Sequence, residues 1–347
     1  MSKVYFIPIE SYAETKKISE SAKKLLKVIQ EENNTLDFNK KIPIKVHFGE
    51  EKNITFIEPK NFEGIIEYLK EKKADCFYVE TNVLYRGKRT KREDHLKVAK
   101  EHGFVQLPIV IADGEIGEEY ELVNIKGVGK HFKDAKIGKE IAKQEQMLVL
   151  AHFKGHVTAG FGAAIKQLSM GCAARGGKLA MHAQSKPILN PLECKKCHTC
   201  VKNCPADACI IDTLIPHIDY AKCIGCAKCI AVCPFGAVHI NWASTLPTEF
   251  YEKLVEYAYA AQKGKKVIYL NFVFNITKDC DCSGEKQIPI AKDIGILASI
   301  DPVAIDKASL DLVRKKEGKK MFGGDHTFDY AEKIGLGSKT YELIKVE

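Results

Sequence analysis

Val4-Tyr-Phe-Ile-Pro-Ile9, followed by Ile18, Ala22, Leu25, Leu26 and Ile29, opens the chain with an apolar run and then an amphipathic face. The run has the length of a buried strand, and the spacing after it is that of a helix packed on one side. The alternation continues through Pro43-Ile-Lys-Val-His47, an Asn-capped helix expected over 61–72, Cys76-Phe-Tyr-Val79, a polar helix over 92–102 and Ile109-Val-Ile111. Strands and helices in strict alternation predict an α/β domain with a mostly parallel sheet, over residues 1–143.

A second α/β unit begins at Gln146-Met-Leu-Val-Leu-Ala151. It resumes after a cysteine-rich block with a helix over 247–261, the strand Lys266-Val-Ile-Tyr-Leu-Asn271 and the strand Ile296-Leu-Ala-Ser-Ile300. A last helix opens at Asp301-Pro302, where Asp can cap and Pro suits the first helical position. The expected architecture is therefore two doubly wound α/β domains, 1–143 and 144–187 with 242–347, and an inserted module over 188–241.

That module reads Cys194-Lys-Lys-Cys197-His-Thr-Cys200-Val-Lys-Asn-Cys204-Pro205, then Cys223-Ile-Gly-Cys226-Ala-Lys-Cys229-Ile-Ala-Val-Cys233-Pro234. Each half has the spacing C-x2-C-x2-C-x3-C-P of bacterial ferredoxins that bind two 4Fe-4S clusters, in which the fourth cysteine ligates the other cluster. Cluster one is expected on Cys194, Cys197, Cys200 and Cys233, and cluster two on Cys223, Cys226, Cys229 and Cys204. Zinc is the competing reading, but four cysteines in this spacing, twice, each followed by Pro, exceed what two zinc sites need. The module is thus an expected ferredoxin-like α+β insertion that conducts single electrons. A purely structural role for the clusters is the alternative.

Length and composition bound the rest. A chain of 347 residues with 45% apolar content is ample for packed cores. No stretch approaches the roughly 18 apolar residues of a membrane span, and the start turns polar too soon for a secretory signal. A cytoplasmic, anaerobic setting is expected, without membrane or nucleic-acid partners. The formal charge of +8 is spread along the chain, and two thiolate-ligated clusters, each with a negative charge of about 2, would offset part of it. Thirteen cysteines in such a chain call for ligation rather than disulfides.

In parallel sheets ligands bind outside the carboxyl ends of strands. The residues expected there are His152, Lys154, His156, Lys166, Cys172, Lys178 and His182, then Cys280 and Cys282, and finally Asp301. Of these His152, His156, Cys172, His182, Cys280 and Cys282 are candidates for chemistry, and Lys154, Lys166, Lys178 and Asp301 for ligand binding. Cys280-Asp-Cys282 has no packing reason to exist in a polar loop; it could hold a third metal, cycle as a dithiol, or sit idle. Gly160-Phe-Gly162 lacks the third Gly of a dinucleotide fingerprint, although an anion could sit at the helix start that follows. Glu80-Thr-Asn82 with Arg86, Arg89, His95 and Asp113 could bind a polar or anionic ligand.

With these motifs assembled, the chain resembles a family of uncharacterised iron–sulfur-centre proteins in which a ferredoxin module is inserted into a large domain of unknown function. The resemblance rests on Glu80-Thr-Asn-Val-Leu-Tyr-Arg-Gly-Lys-Arg89 with His95, Lys154-Gly-His156, Gly160 to Lys166, Gly171-Cys-Ala-Ala-Arg-Gly-Gly-Lys178 with His182, the cysteine run, Asp279-Cys-Asp-Cys282 and Asp301-Pro-Val-Ala-Ile-Asp306. The family has Asp where this chain has Glu80. It is also distantly similar in fold to lactate racemase, which implies two α/β domains around a crevice; the racemase's nickel-cofactor motifs are not recognisable here. The expectation is a redox protein passing electrons between its clusters and a crevice site, for a redox partner protein or small-molecule substrate. A pure electron carrier and a non-redox, isomerase-like enzyme are the alternatives.

Overall fold

A computed structural model describes residues 1–183, 186–242 and 245–347. Its main sheet has eight strands: β1 (Ser2–Pro8), β2 (Ile42–Lys45), β3 (Cys76–Glu80), β4 (Ile109–Ile111), β5 (Gln146–His152), β6 (Lys266–Val273), β7 (Gly295–Ser299) and β8 (Tyr341–Lys345). They lie in the order β8-β1-β7-β6-β5-β2-β3-β4. β7 is antiparallel to β1 and β6, and every other neighbouring pair in this sheet is parallel.

The α/β class is as the alternation of elements predicts. The two expected units, however, share this one sheet: β5 pairs with β2 on one side and β6 on the other, while β1 pairs with β7 and β8. Strand pairing across more than a hundred residues leaves no local pattern, so the alternation could not reveal it.

Both faces of the sheet are covered, as parallel strands require. All seven residues of β5 are buried, and alternate ones serve different cores. Leu148 and Leu150 pack in one layer with helices α1 (Thr15–Asn33) and α2 (Glu63–Glu71). Met147, Val149 and Ala151 pack in the other, with α3 (Ala164–Cys172), α5 (Pro247–Gln262) and α6 (Pro302–Glu317); α4 is Arg175–Ala183.

The ends of α2, α3 and α6 are set differently. Asp301 caps α6 as expected, accepting from the N–H groups of Val303 at 2.8 Å and Ala304 at 3.1 Å. Asn61 does not cap α2, which begins at Glu63 after a 3-10 turn; its amide donates to Glu58 O and the Tyr12 hydroxyl. The start of α3 is filled by the buried carboxylate of Asp306, which accepts from Ala164 N at 2.8 Å and Ile165 N at 2.9 Å. The anion considered for that helix end is therefore supplied by the chain itself.

Between α4 and α5 the cysteine block forms two small antiparallel ribbons, Pro187–Leu189 with Val238–Ile240 and Cys209–Ile210 with His217–Ile218. They enclose an apolar cluster of their own, to which Leu84, Leu179 and Ala183 of the main body contribute.

Candidate functional site

The two cysteine motifs repeat one backbone conformation. Lys196 and Gly225, each just before the second cysteine, and His198 and Ala227, each just after it, all have φ between 49° and 64°. Left-handed turns at matched positions curl each C-x2-C-x2-C loop around a recess. One recess is lined by Cys194, Cys197, Cys200 and Cys233; the other by Cys223, Cys226, Cys229 and Cys204. Each thus takes three cysteines from one motif and the fourth from the other. Cys209 also borders the second recess.

A larger crevice opens where β2, β3 and β5 end. From the ends of β2 and β3 come His47, Glu80 and Thr81, and from the following loop Tyr85 and Arg89. Lys45 Nζ donates to Glu80 Oε1 at 2.8 Å, both groups being sealed from water, and Arg89 Nε donates to Glu50 Oε2 at 3.2 Å. After β5, the ribbon strand Lys154–His156 supplies Lys154 and His156. α3 supplies Lys166, Gln167 and Met170; α4 supplies Lys178 and His182; the loop after β6 supplies Cys282.

Several of these groups are held by specific partners. Lys178 Nζ donates to Thr81 Oγ1 at 2.5 Å and Ala173 O at 2.7 Å, and burial pushes it down to about 8. Asp281 accepts from His152 Nδ1 at 2.9 Å and lies 3.0 Å from Lys154 Nζ. Burial opposes its ionisation, but His152 and Lys154 outweigh that and hold the carboxyl well below the usual range. Lys166 Nζ lies 3.1 Å from Cys280 Sγ. The hydrogen bond from Cys282, aided by Lys166, holds Cys280 well below an ordinary thiol, whereas Cys282 is pushed well above it.

Six of the ten residues expected to form this site do line it: Lys154, His156, Lys166, Lys178, His182 and Cys282. Cys280 lies directly behind Cys282. The other three are elsewhere. His152 is buried with both ring nitrogens engaged, Nδ1 on Asp281 and Nε2 on Phe274 O at 2.7 Å, so it positions the loop. Cys172 is buried beyond the crevice wall, its thiol directed at Gln167 O, and burial pushes it up to about 11. Asp301 is at the opposite end of the strands: β7 runs antiparallel, so its carboxyl end lies toward the start of β6.

Sequence reasoning missed His47, Tyr85, Gln167, Met170 and Trp242. His47 and Tyr85 follow strand ends and could have been found by that rule; the α3 pair looks like ordinary helix surface. Trp242 closes the crevice from the module side, its ring 4.8 Å from that of His182. Arg86 Nη2 donates to Pro234 O at 3.3 Å and Lys136 Nζ to Ile224 O at 2.9 Å, tying the main body to the module.

Fold and site together define an α/β protein carrying a ferredoxin-type cysteine module against a basic crevice. Residues 42–311 match the family described as a domain of unknown function, DUF362, and the chain belongs to that family. Segments of it are similar to several curated proteins, among them the following two. One is an iron–sulfur protein of Rhodospirillum rubrum, 34% identical over 70 residues that cover 18% of this chain and 37% of that protein. The other is an uncharacterized ferredoxin of Methanocaldococcus jannaschii, 38% identical over 53 residues, 15% of this chain and 35% of that one. The chain thus spans little more than a third of the length of these relatives. Among solved structures, the lactate racemase apoprotein of Thermoanaerobacterium thermosaccharolyticum is similar with a TM-score of 0.37 at 15% identity, over 78% of this chain and 50% of that one. Both curated relatives are named for iron–sulfur chemistry, one as an iron–sulfur protein and the other as a ferredoxin. None of the described helices is long and apolar enough to cross a membrane.

Proposed function

We propose that this protein transfers single electrons through two 4Fe-4S clusters, to or from a small molecule bound in the basic crevice. The observation that carries the reading is the composition of the two recesses, each lined by four cysteines drawn three-to-one from the two motifs. Four thiolates per recess fit the all-cysteine ligation that a cubane needs. Cys194, Cys197, Cys200 and Cys233 would hold one cluster and Cys223, Cys226, Cys229 and Cys204 the other. Bound there, the clusters would supply reversible one-electron chemistry.

The chain's own residues account for the rest. Leu84 both packs in the module's core and lines the crevice, and Trp242, just past the module's last strand, lines the crevice against His182, so the module sits beside it. Lys154, Lys166, Lys178 and Arg89 give the cavity a positive lining, with Glu80 the one carboxylate among the lining residues described. An anionic substrate suits that lining. Cys233→Ser and Cys204→Ser test the ligand sets. Each is expected to lose one cluster and keep the other, halving the iron from about eight atoms per chain. Full iron content in both variants would refute the assignment.

A further inference from the structure

Behind Cys282 the crevice wall holds a second sulfur, and the surroundings of the two are unusual. Cys280 Sγ is buried, 3.1 Å from Lys166 Nζ and 3.4 Å from the N–H of Cys282. One nitrogen or sulfur from each of His156, Cys280 and Cys282 lies within 4.8 Å of the other two.

Three such donors could close on a metal ion, but the histidine argues against it. His156 Nδ1 accepts the N–H of Ala159 at 2.9 Å and of Thr158 at 3.2 Å. A neutral imidazole so engaged carries its proton on Nε2, and neither nitrogen keeps a free lone pair for a metal. What surrounds Cys280 is instead a set of donors, the Lys166 ammonium and a backbone N–H, which favours a thiolate. Cys282 faces the crevice, where Lys154, Lys178 and Arg89 offer cations to a ligand.

We propose that Cys280 and Cys282 are a redox-active cysteine pair in the crevice wall that takes a small anionic disulfide as its oxidant. Cys282 attacks one sulfur of the bound disulfide as its proton passes to Cys280. The substrate S–S bond breaks, and the leaving thiolate takes a proton from solvent. Cys280 then attacks Cys282 Sγ; the mixed disulfide breaks and the second substrate thiol leaves with the Cys280 proton. Thiolate, thiol, disulfide and one proton thus give a Cys280–Cys282 disulfide and two thiols, two electrons having moved to the substrate. Restoring the pair takes two electrons and one proton from a low-potential one-electron donor. Only the identity of that donor in the cell rests on the electron-transfer reading.

The test uses the full chain purified without oxygen. It is treated with glutathione disulfide, quenched in acid, alkylated and digested. The expected result is a Cys280–Cys282 peptide that has lost two hydrogens and resists alkylation, is restored by dithionite-reduced viologen, and forms with iron content unchanged. Lys166→Gln should slow the oxidation about tenfold near neutral pH, with Lys166→Arg recovering most of the rate. Two cysteines still fully alkylated after excess oxidant would overturn the proposal. So would a stoichiometric metal beyond the cluster iron in the wild-type protein that is lost in Cys282→Ser. Missing cluster iron with the pair oxidising as described would count against electron transfer and leave the pair standing.

Discussion

Lys45 and Glu80 end two adjacent parallel strands, and their ion pair at 2.8 Å is shut away from water at the floor of the crevice. A buried pair of this kind contributes little net stability when intact, but removing one partner strands the other's charge. Glu80→Ala is therefore expected to destabilise the fold by about 3–5 kcal/mol in urea denaturation, with Lys45→Met/Glu80→Leu costing much less. A single-variant loss under about 1 kcal/mol would show that water reaches the pair. The sorting of eight cysteines into two sets of four, three from one motif and one from the other, was legible at this scale because their spacing is local. The role of His152 was not, because Asp281 becomes its neighbour only through the fold, and that of Cys172 was not, because its burial depends on how its helix packs.

At the scale of elements, α5 holds two segments against the sheet through one acid. Glu252 of α5 binds Lys130 and His131 on one side and His326 on the other. Burial opposes its ionisation, yet those hydrogen bonds outweigh it and hold the carboxyl down to about 2, against 4.5 for an ordinary glutamate. A carboxyl depressed in the folded state contributes stability that is complete above the unfolded value and is lost as pH falls toward the folded one. Stability should therefore drop as pH goes from about 4.5 toward about 2, and Glu252→Gln should flatten that part of the profile in thermal melts at stepped pH. An unchanged acid limb in the variant would assign the loss to other groups. Elements were well read from the sequence where periodicity decides them, as for α1, and the Asp301-Pro302 cap was read correctly as a cap. The same Asp301 was misplaced as a ligand because strand direction is a property of the sheet, and the antiparallel β7 carries its carboxyl end away from the crevice.

At the scale of the molecule, one sheet with its parallel strand ends facing a crevice meets a cysteine module that shares Leu84, Leu179 and Ala183 with it. The alternation of elements disclosed the α/β class and the inserted block, while the joining of both halves into a single sheet depends on contacts distant in sequence. The central claim is that the module carries two redox-active 4Fe-4S clusters. It is tested most directly by iron and sulfide content with electron paramagnetic resonance of the dithionite-reduced protein, purified without oxygen. About eight irons and eight sulfides per chain, with two spin-coupled reduced clusters, is the predicted result. Zinc in place of iron, or clusters that dithionite does not reduce, would contradict it.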